Sequence, residues 1–322
     1  MARIVVAGAG AVGASIAYHL AERGEKDVIL ADRGEIASGA TGKAMGGVRQ
    51  QFSTEPEVRL AQASVELFQE LGAPLFERVG YLFLATTPTG LAELEARAEL
   101  QRGFGVPVER AEASAVPGLR ADDVLGAVIC REDGIADPVG VTRELIRRSG
   151  VEVRERTDAR ALVADMLVVA CGARSPELVP GLPIRPLVRQ LVDVGPVEAL
   201  PADLPMVVEE TGFHFRRVGH DVLRLAMQEP APRWGEDEVV DEALVEDWRA
   251  RLAHRYPQAA GAPVVCAWAG LYDMTPDAHP IIGWVGEAVA EELLEGASSF
   301  DLTPYRPDRF SGEPVFPETL VL

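Results

Sequence analysis

The sequence predicts an α/β fold: a mostly parallel sheet assembled from separated stretches of chain, with an inserted α+β unit containing an antiparallel sheet. Three observations predict it. A strand–helix–strand pattern opens the chain. A second wholly apolar strand ending in a glycine turn recurs near residue 168. Short strand-like runs, separated by turns rich in Gly, Pro and Asp, fill the region after that.

The elements follow in order. Ile4, Val5 and Val6 form a continuous apolar run, as a strand buried on both faces requires. Ile16, Ala17, Leu20 and Ala21 recur at helical spacing, Gly24 stops that helix, and Val28, Ile29 and Leu30 make a second buried strand. Strand, helix and parallel strand together make a βαβ unit. The stretch 38–53 is rich in Gly and small residues and reads as an ordered loop. The stripe Leu60, Ala63, Leu67 and Leu71 predicts an amphipathic helix from Val58 to Leu71. Strands are expected at Tyr81–Ala85 and Val124–Cys130, an exposed helix at Leu91–Leu100, and a helix from Pro138 to about Arg148. Met166 to Cys171 is the second apolar strand. Leu187–Val194, Met206–Glu209, Phe213–Arg217 and Val222–Met227 read as a meander, and Leu244–Arg255 as a helix. No internal repeat or low-complexity tract interrupts the pattern.

At 322 residues the chain suits two domains. A formal net charge of −19 argues against nucleic acid and anionic membrane surfaces, which are held by clustered Lys and Arg. Lys26 and Lys43 are the only lysines. The three cysteines, Cys130, Cys171 and Cys266, form neither a disulfide framework nor a metal spacing, so a reducing compartment and no metal are expected. The opening lacks a charged-then-apolar leader and is far too short to span a membrane, so a cytoplasmic protein without a transmembrane segment is expected.

Gly8, Gly10 and Gly13 form G-x-G-x-x-G between the first strand and the first helix. The first glycine permits a tight turn, the second lets the backbone approach a pyrophosphate, and the third lets helix and strand pack closely. The helix N-terminus then offers free N–H groups and partial positive charge to phosphates. Asp32, ending the second strand, suits the ribose hydroxyls and would repel a 2′-phosphate. This is a Rossmann-like dinucleotide site, and the motif alone does not separate NAD from FAD.

Three further segments, GATGKAMGGVRQQFS, LVVACGARSPEL and WAGLYDMTPDAHPIIG, resemble the D-amino-acid oxidase and sarcosine oxidase (DAO) superfamily. The likeness is nearest to its sarcosine oxidase β-subunit-like and glycine oxidase-like members, and extends through VGYLFLATT and DGIADP. It implies a discontinuous FAD-binding domain (1–79, 138–182 and 265–322) and a substrate domain with an antiparallel sheet (80–137 and 183–264). By the resemblance, Gly8, Gly10, Gly13 and Asp32 hold the ADP half of FAD. Arg33, Ser38, Thr41, Gly46 and Gly47 lie along the pyrophosphate, ribityl chain and ring, and Gly172 closes over the cofactor. Thr275, Pro276 and Asp277 lie near the ring, with Gly283 following. On physical grounds a positive group at the ring's pyrimidine edge favours the anionic reduced flavin, and Lys43 and Arg49 are the candidates for it, against the alternative of a solvated loop cation. Gly270 stands where some sarcosine oxidases carry a flavin-attached cysteine, so FAD is expected to be non-covalent. Cys171 and Cys266 are expected to be packed thiols.

Two departures accompany the likeness. The family's strand and glycine-rich segment after PIIG are missing beyond Gly283, and its β-meander is shortened between Arg154 and Ala164. A real trimming and a sequence that omits segments are both open explanations. Ala159 stands where the family places a valine against adenine.

For the substrate, Arg49 is a candidate carboxylate clamp, against the alternative of a solvated loop cation. His214 and Tyr272 are candidates to face or cap the substrate, against a purely structural role. Arg216 and Arg217 point to opposite faces of one strand, so only one enters the cavity. His279 is a candidate for tuning the flavin. The expected function is oxidation of the C–N bond of a small amine or (N-alkyl) amino acid by hydride transfer to FAD. An electron-acceptor protein or a homo-oligomer is a possible partner. The rivals are an NAD-dependent dehydrogenase and a flavin-free binding or assembly protein that retains the fold.

Overall fold

A computed structural model describes residues 2–279 and, beyond them, 290, 293–296, 298, 299, 301–306, 309 and 310. The opening unit folds as its pattern requires. β1 (Ile4–Ala7) enters a glycine turn, α1 (Ala11–Glu22) runs back along the sheet, and β2 (Val28–Ala31) lies parallel to β1. β3 (Gly47–Val48) follows the Gly-rich loop. α2 (Glu55–Leu71) begins three residues before the expected start at Val58, because Pro56 is tolerated in a first helical turn. β4 (Phe76–Glu77) and β5 (Tyr81–Ala85) come next. α3 (Pro88–Gly103) is capped by the Thr87 hydroxyl, which accepts from Gly90 N.

β6 (Val108–Ala111), β7 (Gly126–Cys130) and β8 (Gly134–Ala136) lead into α4 (Pro138–Ser149), where Asp137 caps the start and left-handed Gly150 ends it. β9 (Glu152–Arg154) and β10 (Met166–Val169) are joined by a stretch whose one regular element is a 3₁₀ turn at Ala159–Ala161. β11 (Arg185–Val194), β12 (Met206–Glu209), β13 (His214–Val218), β14 (Val222–Ala226) and β15 (Arg233–Trp234) precede α5 (Glu242–Arg255) and β16 (Val264–Met274).

Among the described residues these strands make a four-stranded sheet, β10-β1-β2-β9, whose every pairing is parallel. A nine-stranded mixed sheet runs β15-β11-β14-β13-β12-β5-β7-β6, with β16 also on β11. A small sheet, β3-β8-β4, ties the Gly-rich loop to the chain before α4. The α/β class and the antiparallel character of the large sheet agree with the pattern read from sequence, apart from the parallel β5–β12 pair.

Both faces of the parallel sheet are covered. Ile4, Val6 and Leu30 pack on Ile16 and Leu20 of α1 and on Val141 and Leu145 of α4. Val5, Ala7, Ile29 and Ala31 pack beneath Ala159, Leu162 and Leu178. One face of the large sheet is closed by α5, whose Val245, Trp248 and Leu252 meet Phe213, Phe215, Leu223 and Leu225. Its other face turns toward the Gly-rich loop.

One expectation changes. β16 was grouped with the FAD unit, yet all eleven of its residues, Val264–Met274, belong to a strand of the large sheet. The motif WAGLYDM is therefore the wall between the two units. No helix among the described residues is long and apolar enough to cross a membrane. The expected loss of a strand after Gly283 falls outside the described residues.

Candidate active site

The glycine turn shows why these positions carry no side chain. Gly8 sits at φ +110°, its N–H donates to Ala31 O at 2.7 Å, and a Cβ there would lie 2.3 Å from Ala170 O. A Cβ on Gly13 would lie 1.8 Å from Gly8 O, so the helix rests directly on the turn. The first turn of α1 has no acidic residue. The Thr41 hydroxyl accepts from Ala11 N at 3.0 Å and thereby stands over the helix N-terminus. Beside them opens a cavity of about 1100 Å³, lined by Gly8, Gly10, Asp32, Arg33, Ser38, Thr41, Lys43, Gly172 and Thr275 among others.

Asp32 is held rigidly there. One carboxylate oxygen accepts from Ala9 N and the other from Gly34 N, both at 2.7 Å. A carboxylate has about four acceptor positions, so it retains capacity for a ligand hydroxyl. Arg33 bonds Glu177 at 2.8 Å, and the Ser38 hydroxyl donates to Glu35 O at 2.8 Å. Bare glycine turn, helix N-terminus and fixed terminal acid line one space, and they fit a dinucleotide. Substituting Asp32 by Ala is expected to weaken FAD binding about ten- to a hundredfold, the usual cost of charged hydrogen bonds, as read by fluorescence titration of apoprotein.

Farther along, β16 forms the cavity wall through Leu271 and Asp273. The Asp273 carboxylate lies 3.7 Å from where a Cβ on Gly172 would stand, and burial raises its pKa. Lys43 crosses Gly270, where a Cβ would meet the lysine Cβ at 3.0 Å. Its backbone oxygen accepts from Trp268 Nε1 at 3.1 Å, and its ammonium pairs with Glu238.

On the other side of β16 the pleat assembles a second group. Opposed residues in an antiparallel pair share a face. His214 and Arg216 of β13, Arg224 of β14, Arg189 and Asp193 of β11, and Trp268 and Tyr272 of β16 thus project together. The His214 Nδ1 contacts Gly212 O at 2.8 Å, and because a carbonyl only accepts, that nitrogen carries the proton and Nε2 is an acceptor. Burial, with added repulsion from Arg49 and Arg189, pushes its pKa down to about 4, so the ring is neutral at pH 7. Arg49 stacks over Phe52 at 4.4 Å and donates to Gln51 O at 3.3 Å. Tyr272 is 41 % accessible, and desolvation by the atoms around it raises its phenol pKa.

Some expected ligands of the flavin stand elsewhere. Gly46 and Gly47 do not line the cavity: a Cβ would meet Ala136 O at 2.5 Å and the Tyr81 phenol oxygen at 2.1 Å respectively, so their bareness serves contact between sheets. Asp277, off the cavity lining with Pro276, accepts from Arg309 Nε at 2.8 Å and from His279 N at 3.1 Å, and so works as a buried clamp. His279 does line the cavity, paired with Glu57. His214 and Tyr272 stand on the large sheet and Arg49 on the loop after β3, all of them off the cavity lining. Arg216 shares their face and donates to Met45 O, whereas Arg217 turns to Glu77 and Ala202 O. Cys171 is part-buried with its thiol on Ala7 O, but Cys266 is exposed, contrary to the packed role expected of it. Asp273 and Arg189 were not anticipated. Their one signal was a charge at alternating positions of otherwise apolar strands.

A model of the family described as FAD dependent oxidoreductase (DAO) matches residues 3–297. The chain belongs to this family. Such members include the glycine oxidase of Geobacillus kaustophilus, 27% identical, with 96% of this chain and 97% of that protein covered. That alignment runs over 374 positions, more than the 322 residues here, so the relative carries stretches without a counterpart in this chain. The solved L-proline dehydrogenase from P. horikoshii is 25% identical, with TM-score 0.89 over 96% of this chain and 98% of that one. The mouse mitochondrial pyruvate dehydrogenase phosphatase regulatory subunit is 29% identical over 168 residues, covering 48% of this chain and 19% of that protein. The chain thus spans about a fifth of that relative's length.

Proposed function

We propose that this family member oxidises the C–N bond of a small amino acid or N-alkyl amino acid, with non-covalent FAD as oxidant. The observation that carries the reading is that the cavity lined by the glycine turn, Asp32 and Lys43 adjoins, where Lys43 crosses Gly270 of β16, the face bearing His214, Tyr272 and Arg189, with Arg49 beside it. The names of two relatives aligned along 96% of the chain, a glycine oxidase and an L-proline dehydrogenase, support the substrate class.

In this reading Gly8, Gly10 and the N-terminus of α1 hold the diphosphate, with Thr41 at its edge and Asp32 on the ribose. Bound flavin supplies the electron sink for a hydride leaving the carbon next to nitrogen. The protein's own part is to bind, orient and set protonation. Two guanidinium groups flank the space, and their field disfavours an ammonium ion, so the amine is kept neutral. The neutral His214 Nε2 accepts an amine N–H. Trp268 and Tyr272 keep bulk water from the face. Lys43, paired with Glu238, and Asp273, whose carboxyl pKa burial raises, set the charge near the cofactor cavity.

The test is the absorbance spectrum of purified protein, followed by anaerobic addition of N-methyl and α-amino acids. Flavin bands that bleach with one of these amines are expected. A yellow protein that no amine bleaches would sink the oxidase reading and favour a regulatory role, as the name of the mouse relative suggests for that protein. Gly270 offers no thiol, so acid precipitation should leave a colourless pellet and a yellow supernatant. A yellow pellet would mean a covalent link.

A further inference from the structure

The charged side chains that enter the cofactor cavity are not equivalent. Lys43 is paired with Glu238, Arg174 with Glu236 at 3.0 Å, and Arg33 with Glu177 at 2.8 Å. Asp32 has each oxygen on a backbone N–H. Asp273 differs. Among the described residues its carboxylate has no ion pair, and no hydrogen bond to any residue but its own. No other charged side chain acts on it, and burial raises its pKa.

The strand explains how this arises. Alternate positions of β16 and its continuation, Leu271, Asp273 and Thr275, line the cavity, while Tyr272 between them turns to the other face. In register on β11, Asp273 lies opposite Pro186, which has neither an N–H nor a polar side chain to offer. Across from it stands the turn after β10. The two carboxylate oxygens lie 3.7 and 3.8 Å from where a Cβ on Gly172 would be, and Gly172 has φ +56° and no side chain.

Withdrawing a carboxyl from water without a partner is costly, and the cost is relieved when a ligand brings one. A phosphate cannot do so, because two anions repel. The diphosphate is drawn instead to the bare glycine turn and the N-terminus of α1. The rest of the flavin half of FAD is neutral, and its ribityl chain carries several hydroxyls. A hydroxyl donates to a carboxylate and accepts from a carboxylic acid, so it satisfies Asp273 in either protonation state.

We propose that Asp273 is a cofactor-binding residue whose carboxyl takes hydroxyls of the ribityl chain and so fixes where the flavin half of FAD lies. This role rests on the reading of the cavity as the FAD site and adds a second acid to it. Asp32 serves the ADP half, and Asp273 serves the flavin half.

The experiment titrates full-length apoprotein with FAD and with ADP by calorimetry. ADP shares the nucleotide half and lacks both ribityl chain and ring. Asp273→Ala should lose about tenfold or more in FAD affinity, the usual cost of hydrogen bonds to a charged group, and bind ADP as the parent does. The retained ADP binding also shows that the variant has folded around its cavity. Asp273→Asn keeps an acceptor oxygen and should recover most of the FAD affinity. Asp32→Ala should weaken both nucleotides. Equal or tighter FAD binding by Asp273→Ala, or matching losses for FAD and ADP, would each overturn the assignment. Failure of the underlying reading is distinguishable. If Asp32→Ala leaves both affinities intact, the cavity is not the FAD site and both ideas fall. If Asp32→Ala weakens both nucleotides and Asp273→Ala weakens neither, only the role of Asp273 falls.

Discussion

Substituting Gly8 by Ala is expected to give a protein that purifies without FAD and unfolds many degrees below the parent. The added Cβ would lie 2.3 Å from Ala170 O, 2.7 Å from Ala170 C and 3.2 Å from Cys171 N. All three are backbone atoms at the end of β10, so nothing can rotate aside as a side chain would. That backbone is also a lip of the cofactor cavity, which Ala170, Cys171 and Gly172 line. Relief of the clash must therefore spread β1 from β10 and misplace the donors aimed at the diphosphate. The φ of +110° adds strain of about 1–2 kcal/mol for an L-residue. Together these place the cost at the exceptional end for single substitutions, about 4 kcal/mol or more.

Gly24→Ala is the matched control. Gly24 has φ +92°, but a Cβ there meets nothing within 4 Å. It should cost about 1 kcal/mol, the strain alone, and leave flavin content intact. The flavin-to-protein absorbance ratio and the thermal midpoint read both outcomes. A Gly8→Ala protein that keeps full flavin and melts with the Gly24 variant would refute the assignment of this turn.

The second large effect is on pH dependence, where two buried groups oppose each other. His214 titrates near 4 rather than 6.5 in the folded chain. Between those values the unfolded chain binds a proton that the native state refuses, so stability falls as pH falls, by about 3 kcal/mol. Asp133 is raised from 3.8 to about 6 by burial, against hydrogen bonds from Gln50 and Gln51. Its native carboxyl holds a proton that the unfolded chain releases. That contribution is fully present below 3.8 and is lost as pH rises through 6, again about 3 kcal/mol. From pH 6.5 to 4 the two slopes therefore largely cancel in the parent.

His214→Gln should expose the Asp133 slope, with stability rising as the solution is acidified from pH 6.5 to 4. Asp133→Asn should expose the opposite slope. Surface groups are common to all three proteins, so urea unfolding at successive pH values isolates the difference. Parallel pH profiles for the parent and both variants would mean that neither group is buried in the ionisation state described.

How much of this was legible depends on the range of the cause. The opening βαβ unit was readable because its apolar periods, and the rest of Gly13 on Gly8 O, act within about thirty residues, the length of such a unit, although the close approach at Gly8 comes from Ala170. Helix ends moved outward at α2 and α3, where Pro56 and Pro88 sit in first turns that an apolar stripe does not reveal. Gly46 and Gly47 carry the right residue type, yet the approach that demands it comes from Ala136 and Tyr81, about 90 and 34 positions away along the chain. Asp277 looked like part of a cofactor motif, whereas its partner Arg309 lies in a segment without periodicity.

The amino-acid sequence by itself determined a dinucleotide-binding α/β protein with an added antiparallel sheet, the acid that ends its second strand, and resemblance to a flavoenzyme family. Backbone sterics and hydrophobic period act over one or two elements, and linear order preserves them. Tertiary structure alone decided that β16 belongs to the large sheet, that His214 is neutral, and that Arg189 keeps its donors unspent among the described residues while Arg224 does not. Strand register sets those outcomes, because it selects which residues from distant segments share a face and whether a charge finds its counterion.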